Sequence, residues 1–227
     1  MTDPSPAPTQ AQSSTTARLE AFSDGVIAIA ITLLVLEIGI PAVQRTHSLI
    51  DALAEQWPSY VAFLISFVVI GIMWVSHHAM FERIASVDRG MLFLNLMLLM
   101  GIAFLPFPTA LLAEYVREGG QNASVAAAIY SATMALIGLA FAAMWRHLLR
   151  NPHLLVGGIS RDRIELAIRR SMVGPVVYTA SIGLAFISAP ACFVVYALVA
   201  IYFGSNPSSR VATPQAPVDA GDVTSET

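Results

Sequence analysis

Lysine is absent from this chain of 227 residues, and charge of either sign is scarce. Charged side chains make up 12% of it, against about 25% in an average soluble domain. So little charge excludes an ordinary soluble enzyme and a disordered protein, and the missing basic surface excludes a nucleic-acid binder. Cys192 is the single cysteine, which rules out a disulfide framework and a cysteine-based metal site. Residues 1–17 lack the basic start and apolar stretch of a signal peptide. With residues 205–227 they read as polar, solvated, disordered tails.

Apolar length is what the chain has in abundance: 56% of its residues are hydrophobic and its mean hydropathy is +0.68. Runs near twenty apolar residues cross about 30 Å of hydrocarbon as helices. Such runs occupy 22–40, 58–76, 91–113 and 123–145. The run 171–204 is too long for one crossing, and Ala189-Pro190 interrupts it. Proline lacks a helical donor and disfavours helix in the residue before it, so two short spans are expected, 171–187 and 190–204. The predicted fold is an all-α polytopic membrane protein with six helices over residues 18–204.

The arginines test that count. With the N-terminus inside, Arg18, Arg83, Arg89, Arg146, Arg150, Arg161, Arg163, Arg169, Arg170 and Arg210 fall on the cytoplasmic side, and only Arg45 and Arg117 fall outside. Cytoplasmic loops collect arginine, so the split supports a multi-pass protein of the cell membrane with both termini cytoplasmic. Five spans would move Arg210 alone, so the last hairpin is the least constrained. The inner segment SRDRIELAIRR sets Ile164, Ala167 and Ile168 at helical spacing among arginines. It fits an interfacial amphipathic helix and a stop-transfer anchor on anionic lipid equally well. Arginines recurring every third residue inside an apolar span, the mark of a voltage sensor, are missing.

The first span opens with Arg18-Leu19-Glu20-Ala21-Phe22-Ser23-Asp24-Gly25. An ionised group at the start of a span is costly unless paired and points to function. Capping is the simpler role for Ser23 and Asp24, whose oxygens suit the unpaired N–H groups and positive dipole end of a first helical turn. Further along, Phe22, Val26, Ile29, Leu33, Leu36 and Ile40 follow a spacing of four and three, forming one bulky stripe. Gly25, Ala28, Thr32 and Gly39 flank it with small side chains that admit a neighbouring helix. In an arbitrary membrane helix such a stripe faces lipid or core.

Taken together, these residues carry a resemblance. Arg18-x-x-x-Phe22-Ser23-Asp24 leads into an Ile/Leu-rich helix ending Leu36-Glu37-Ile38. Trp74-x-x-His77-His78 closes the second span, Asn95 lies in the third, and Leu105-Pro106-Phe107-Pro108 sits near its outer end. This set, over about 18–204, resembles the transmembrane protein 175 family, the endosomal and lysosomal potassium channels and their bacterial relatives. The resemblance implies that the first helix lines an ion pathway, with Ile29 as the narrowest apolar ring. Thr32 would sit one turn above it, with Leu33 and Leu36 continuing the wall. It also implies a homotetramer, because single-unit bacterial members assemble as four and this chain has one Phe-Ser-Asp motif. Potassium is the implied permeant ion, membrane lipids the surroundings, and no cofactor is implied. Nothing like Thr-Val-Gly-Tyr-Gly, which builds the carbonyl rings of ordinary potassium channels, occurs here.

An apolar ring of this kind excludes ions when narrow and conducts when it widens and wets. Potassium sheds its water more easily than sodium, so an apolar neck favours potassium, and Thr32 hydroxyls replace part of the lost water. Glu37 either concentrates cations at the outer mouth or pairs across a subunit boundary. His77 and His78, adjacent on a helix, point about 100° apart and are poorly placed to share one metal ion, and no activated nucleophile stands beside them. The expected arrangement joins one histidine, Trp74 and Asn95 by hydrogen bonds to Ser23 and Asp24 at the inner end, with Arg18 completing the set by resemblance. Pro106 and Pro108 predict a structural kink. A secondary transporter would show repeats and broken helices at mid-membrane, and an intramembrane enzyme a convergent acid, base or nucleophile set. Neither pattern is visible. A proton pathway is the nearer alternative, yet the Ile29–Leu36 wall offers it few titratable groups.

Overall fold

The structure, a computed structural model, describes residues 8–40, 48–116 and 118–205, with side chains described from Thr15 onward. Its helices are α1 (Pro8–Leu33), α2 (Leu49–Glu55), α3 (Trp57–Phe81), α4 (Arg89–Phe104), α5 (Pro106–Tyr115), α6 (Gly120–Arg150), α7 (Arg161–Ala185) and α8 (Ala189–Ser205). Single 3-10 turns follow α1 at Leu34–Glu37 and α6 at Pro152–Leu154. An isolated antiparallel bridge between Ile84 and Leu155 ties the loop after α3 to the loop after α6.

Four segments are long and apolar enough to cross a membrane: Thr15–Glu37, Trp57–Phe81, Arg89–Tyr115 and Gly120–Arg150. They correspond to the first four sequence-predicted spans. The remaining two fall on α7 and α8, which carry the apolar run on either side of Ala189-Pro190. α8 has 17 residues, and α7 opens with the arginine-rich segment, which dilutes its hydropathy. That segment forms no separate interfacial helix. It is the first part of α7 itself, because Arg161–Ser171 contains only residues compatible with helix and nothing that breaks it before Gly174 and Pro175.

The predicted tail boundaries shift at one end. α1 begins at Pro8, inside the segment that composition assigns to a tail. Proline suits a first helical turn, and no helix breaker follows it before Gly25. Residues 1–7, the segment 41–47 with Arg45, Arg117, and the C-terminal stretch 206–227 with Arg210 lie outside the described residues.

Local chemistry sets the other helix ends. Asp88 caps α4, its carboxylate accepting the Met91 N–H at 2.7 Å and a His147 ring nitrogen at 2.9 Å. Burial alone would raise the Asp88 pKa, but these two donors outweigh it and hold the carboxyl below its ordinary value. Pro106 has no N–H to continue α4, so Leu105 N–H donates to the Ile102 carbonyl instead, at 3.1 Å, and α5 starts afresh. This is the kink expected from Leu105-Pro106-Phe107-Pro108. α6 carries buried residues from Ala123 to Leu148 and forms the spine of the bundle. Its Gly138 meets α7 so closely that a Cβ there would stand 2.6 Å from Cδ of Pro175.

Candidate functional site

Beyond Thr16, the buried positions of α1 and the 3-10 turn that follows it are Ser23, Ile27, Ala30 and Leu34, each at most 2% exposed. Their spacing of four, three and four is one helical face, and it packs toward α3, α4 and α5. The bulky stripe lies away from it. Phe22, Ile29, Leu33 and Leu36 are 53%, 61%, 42% and 72% exposed, Val26 is half-buried and Ile40 is fully open. Ala28 and Thr32 share the outward side, and a Cβ on Gly25 would meet nothing within 4 Å. Thr32 Oγ1 donates to the Ile29 carbonyl at 2.9 Å, which spends its proton within the helix and leaves its lone pairs facing outward. Glu37 is half-buried in the 3-10 turn that ends the span.

At the other end of α1 two separate sets of hydrogen bonds form. In the buried set, His77 Nε2 lies 2.9 Å from Asn95 Oδ1, Asn95 Nδ2 donates to Ser23 Oγ at 2.9 Å, and Ser23 Oγ donates to the Leu19 carbonyl at 2.9 Å. The amide NH2 can only donate, so its oxygen receives the proton of His77 Nε2, and the whole series runs one way. His77 Nδ1 is buried without a partner, which fits a neutral ring protonated on Nε2. Phe81 stacks on that ring with centroids 4.3 Å apart. Ser23, His77 and Asn95 are all wholly buried and join α1, α3 and α4.

The second set is on the exposed side. Trp74 Nε1 donates to Asp24 Oδ1 at 2.9 Å. His78 Nδ1 meets Glu20 Oε1 at 2.9 Å, and its Nε2 lies 3.6 Å from Glu82 Oε1. Trp74 and His78 stack with centroids 6.0 Å apart. The two histidines therefore end on different partners, where the sequence suggests a single histidine acting with Trp74 and Asn95. Arg18 is exposed and stands outside both sets among the described residues, and Phe22 belongs to the outward stripe. Glu20 is the residue that sequence reasoning missed. Its signal was available: Glu20 and Asp24 are four apart on one helix, Trp74 and His78 four apart on another, so two matched pairs can meet.

Two further polar contacts hold the middle of the bundle. Ser66 Oγ lies 2.8 Å from Thr109 Oγ1 and 3.2 Å from the Tyr130 hydroxyl, joining α3, α5 and α6. Tyr196 on α8 donates to the Ala127 carbonyl at 3.0 Å while its hydroxyl lies 2.7 Å from Ser131 Oγ. In hydrocarbon, where apolar burial gives helices no net drive to associate, such contacts and close packing do that work.

Residues 18–106 match the family described as the endosomal/lysosomal potassium channel TMEM175. The chain is similar to a potassium channel of Streptomyces collinus, 47% identical over 201 residues that cover 87% of this chain and 97% of the relative. It is also similar to a potassium channel of Chamaesiphon minutus, 42% identical over 194 residues, which cover 85% of this chain and 95% of that one. The crystal structure of a lysosomal potassium-selective channel TMEM175 homolog from Chamaesiphon minutus matches the fold with a TM-score of 0.76 and 40% identity. That match covers 86% of this chain and 100% of that one.

Proposed function

This chain belongs to the family of the endosomal/lysosomal potassium channel TMEM175, and from that premise we propose that it is the subunit of a potassium-permeable membrane channel whose pathway is walled by α1. The observation that carries the reading is the division of α1 into two faces. One face, from Ser23 to Leu34, is wholly buried within its own subunit, and the other leaves Ile29, Thr32, Leu33 and Leu36 exposed on the single chain. One helix cannot enclose a pathway, so several copies must bring this face together, and four is the number the family resemblance implies. α7 and α8 complete six spans, with both termini cytoplasmic.

In that assembly the Ile29 side chains form a dry neck. Passage requires an ion to lose much of its hydration there, a step potassium makes at lower cost than sodium. The outward lone pairs of Thr32, one turn on, return part of the lost coordination, while Leu33 and Leu36 keep the wall apolar. Glu37 raises cation concentration near the outer mouth. The buried Ser23–Asn95–His77 series, with the Asp24–Trp74 and Glu20–His78 contacts beside it, anchors the inner end of α1 and so fixes where the neck stands.

Purified protein in liposomes, with potassium, sodium or protons as the one permeant cation, tests this function. Flux clearly faster with potassium is the expected result. Equal potassium and sodium flux, or conduction of protons alone, would contradict it.

A further inference from the structure

A cavity of about 790 Å³ lies among α3, α6, α7 and α8 and shares no lining residue with α1. Its size falls in the roughly 300–1,000 Å³ range of sites that enclose small organic ligands. It is polar at one end and apolar along its length. Arg163, Arg170, Gly174 and Tyr178 all line it, and their spacing of seven, four and four places them on one face of α7. The arginines stand at the loop end, joined by Arg83 from the end of α3, whose guanidinium lies 5.8 Å from the Trp145 ring centroid. Past them the walls are apolar, including Met73, Phe141 and Phe203.

The lining of this cavity calls for an anionic amphiphile. Neither Arg163 nor Arg170 forms a salt bridge among the described residues, and the carboxylate on the same rim, Glu82, faces His78 at 3.6 Å. Arg83, Arg163 and Arg170 line this rim against the single carboxylate of Glu82; burial lowers the Arg83 pKa, Glu82 opposes that shift, and Arg163 adds to it. A small soluble anion would satisfy the arginines but leave the apolar walls unmatched.

We propose that this cavity binds an anionic phospholipid, its phosphate held by Arg163 and Arg170 beside Arg83 and an acyl chain lying along the apolar wall toward Phe203. The inference rests on α7 and α8 lying within the membrane and is independent of which ion the channel carries. A zwitterionic lipid brings a phosphate too, but its ammonium group is repelled by the clustered arginines. Gly174 keeps the groove open: a Cβ there would already touch the Phe203 ring at 3.7 Å.

Native mass spectrometry of the intact protein, after equilibration with an equal mixture of phosphatidylglycerol and phosphatidylcholine, tests the site. Phosphatidylglycerol is expected to be retained preferentially. The double variant Arg163→Gln/Arg170→Gln should lose that preference by about tenfold or more, the scale of two phosphate contacts near a membrane surface. Arg150→Gln/Arg169→Gln, which removes the same charge outside the cavity, should keep it. Equal retention of the two lipids by the unaltered protein, or the same loss in the control pair, would overturn the proposal whether or not the double variant folds. So would a cavity variant that separates the subunits while lipid retention stays unchanged, since a second copy would then fill the groove.

Discussion

Ile29→Asn raises potassium flux by about tenfold and brings sodium flux up toward it, which corresponds to lowering the barrier at the neck by about 1.4 kcal/mol. The effect follows from the kind of barrier an isoleucine ring presents. An ion inside it exchanges water oxygens for methyl groups, and the loss of hydration is the barrier. An amide at the same position supplies both donors and acceptors, so the neck stays wet at a diameter where isoleucine would empty it. The same wetting removes the penalty that separates sodium from potassium, so conductance and selectivity change in opposite directions. Liposome flux with each cation, or bilayer recording of the variant, reads both quantities. A matched substitution at an exposed position of α4, Leu96→Asn, should leave both unchanged, because Leu96 is exposed but not on α1. Unaltered currents in Ile29→Asn would place the α1 stripe against lipid.

Asn95→Leu detaches α1 from its subunit. The two side chains have the same number and branching of heavy atoms, so the change is directed chiefly at the hydrogen bonds. Asn95 bridges His77 and Ser23, with all three wholly buried. Without it the His77 N–H has no acceptor, on a ring whose other nitrogen is already unpartnered. Stranding a buried polar group costs about 1–3 kcal/mol, while interhelical hydrogen bonds in membrane proteins average about 0.6 kcal/mol. The sum points to a loss near 2 kcal/mol, concentrated on a helix whose outward face is exposed on the single chain. A lower melting temperature in detergent and loss of the assembled species on size-exclusion chromatography are the expected readings. Ser23→Ala should act in the same direction but less, since it leaves His77 and Asn95 bonded. Trp74→Phe should cost least of the three, because Trp74 is half exposed and its bond to Asp24 competes with water.

How far the sequence foretold this arrangement differs from element to element. The first four spans were legible because each is a long apolar run, and the break between α4 and α5 because Pro106 has no N–H to give. The outward stripe on α1 was legible from its four-and-three spacing, since that spacing is the helix period itself. The arginine-rich start of α7 was harder: hydropathy falls at Arg169-Arg170 while helix propensity does not, so a boundary in one property is not a boundary in the other. The division of the histidines between two partners depended on Glu20, whose spacing of four to Asp24 matches that of Trp74 to His78 but does not say which helices meet. Ser66, Thr109 and Tyr130 meet from positions far apart in the chain, and nothing local to any of them marks the meeting. In the proposed channel the closing of α1 faces around a pathway belongs to the assembly, and no single chain contains it.

Thiol accessibility along α1 tests that assembly most directly. Cys192 is buried and is the one native cysteine, so a Cys192→Ala background is silent to water-soluble reagents. In it, Ile29→Cys, Thr32→Cys and Leu36→Cys are expected to react with a cationic methanethiosulfonate from the aqueous side and to lose potassium current as they do. Phe93→Cys, exposed on α4, is expected to keep its current under the same treatment. Current that persists through complete labelling at position 29, or block through position 93 in its place, would contradict a pathway walled by α1.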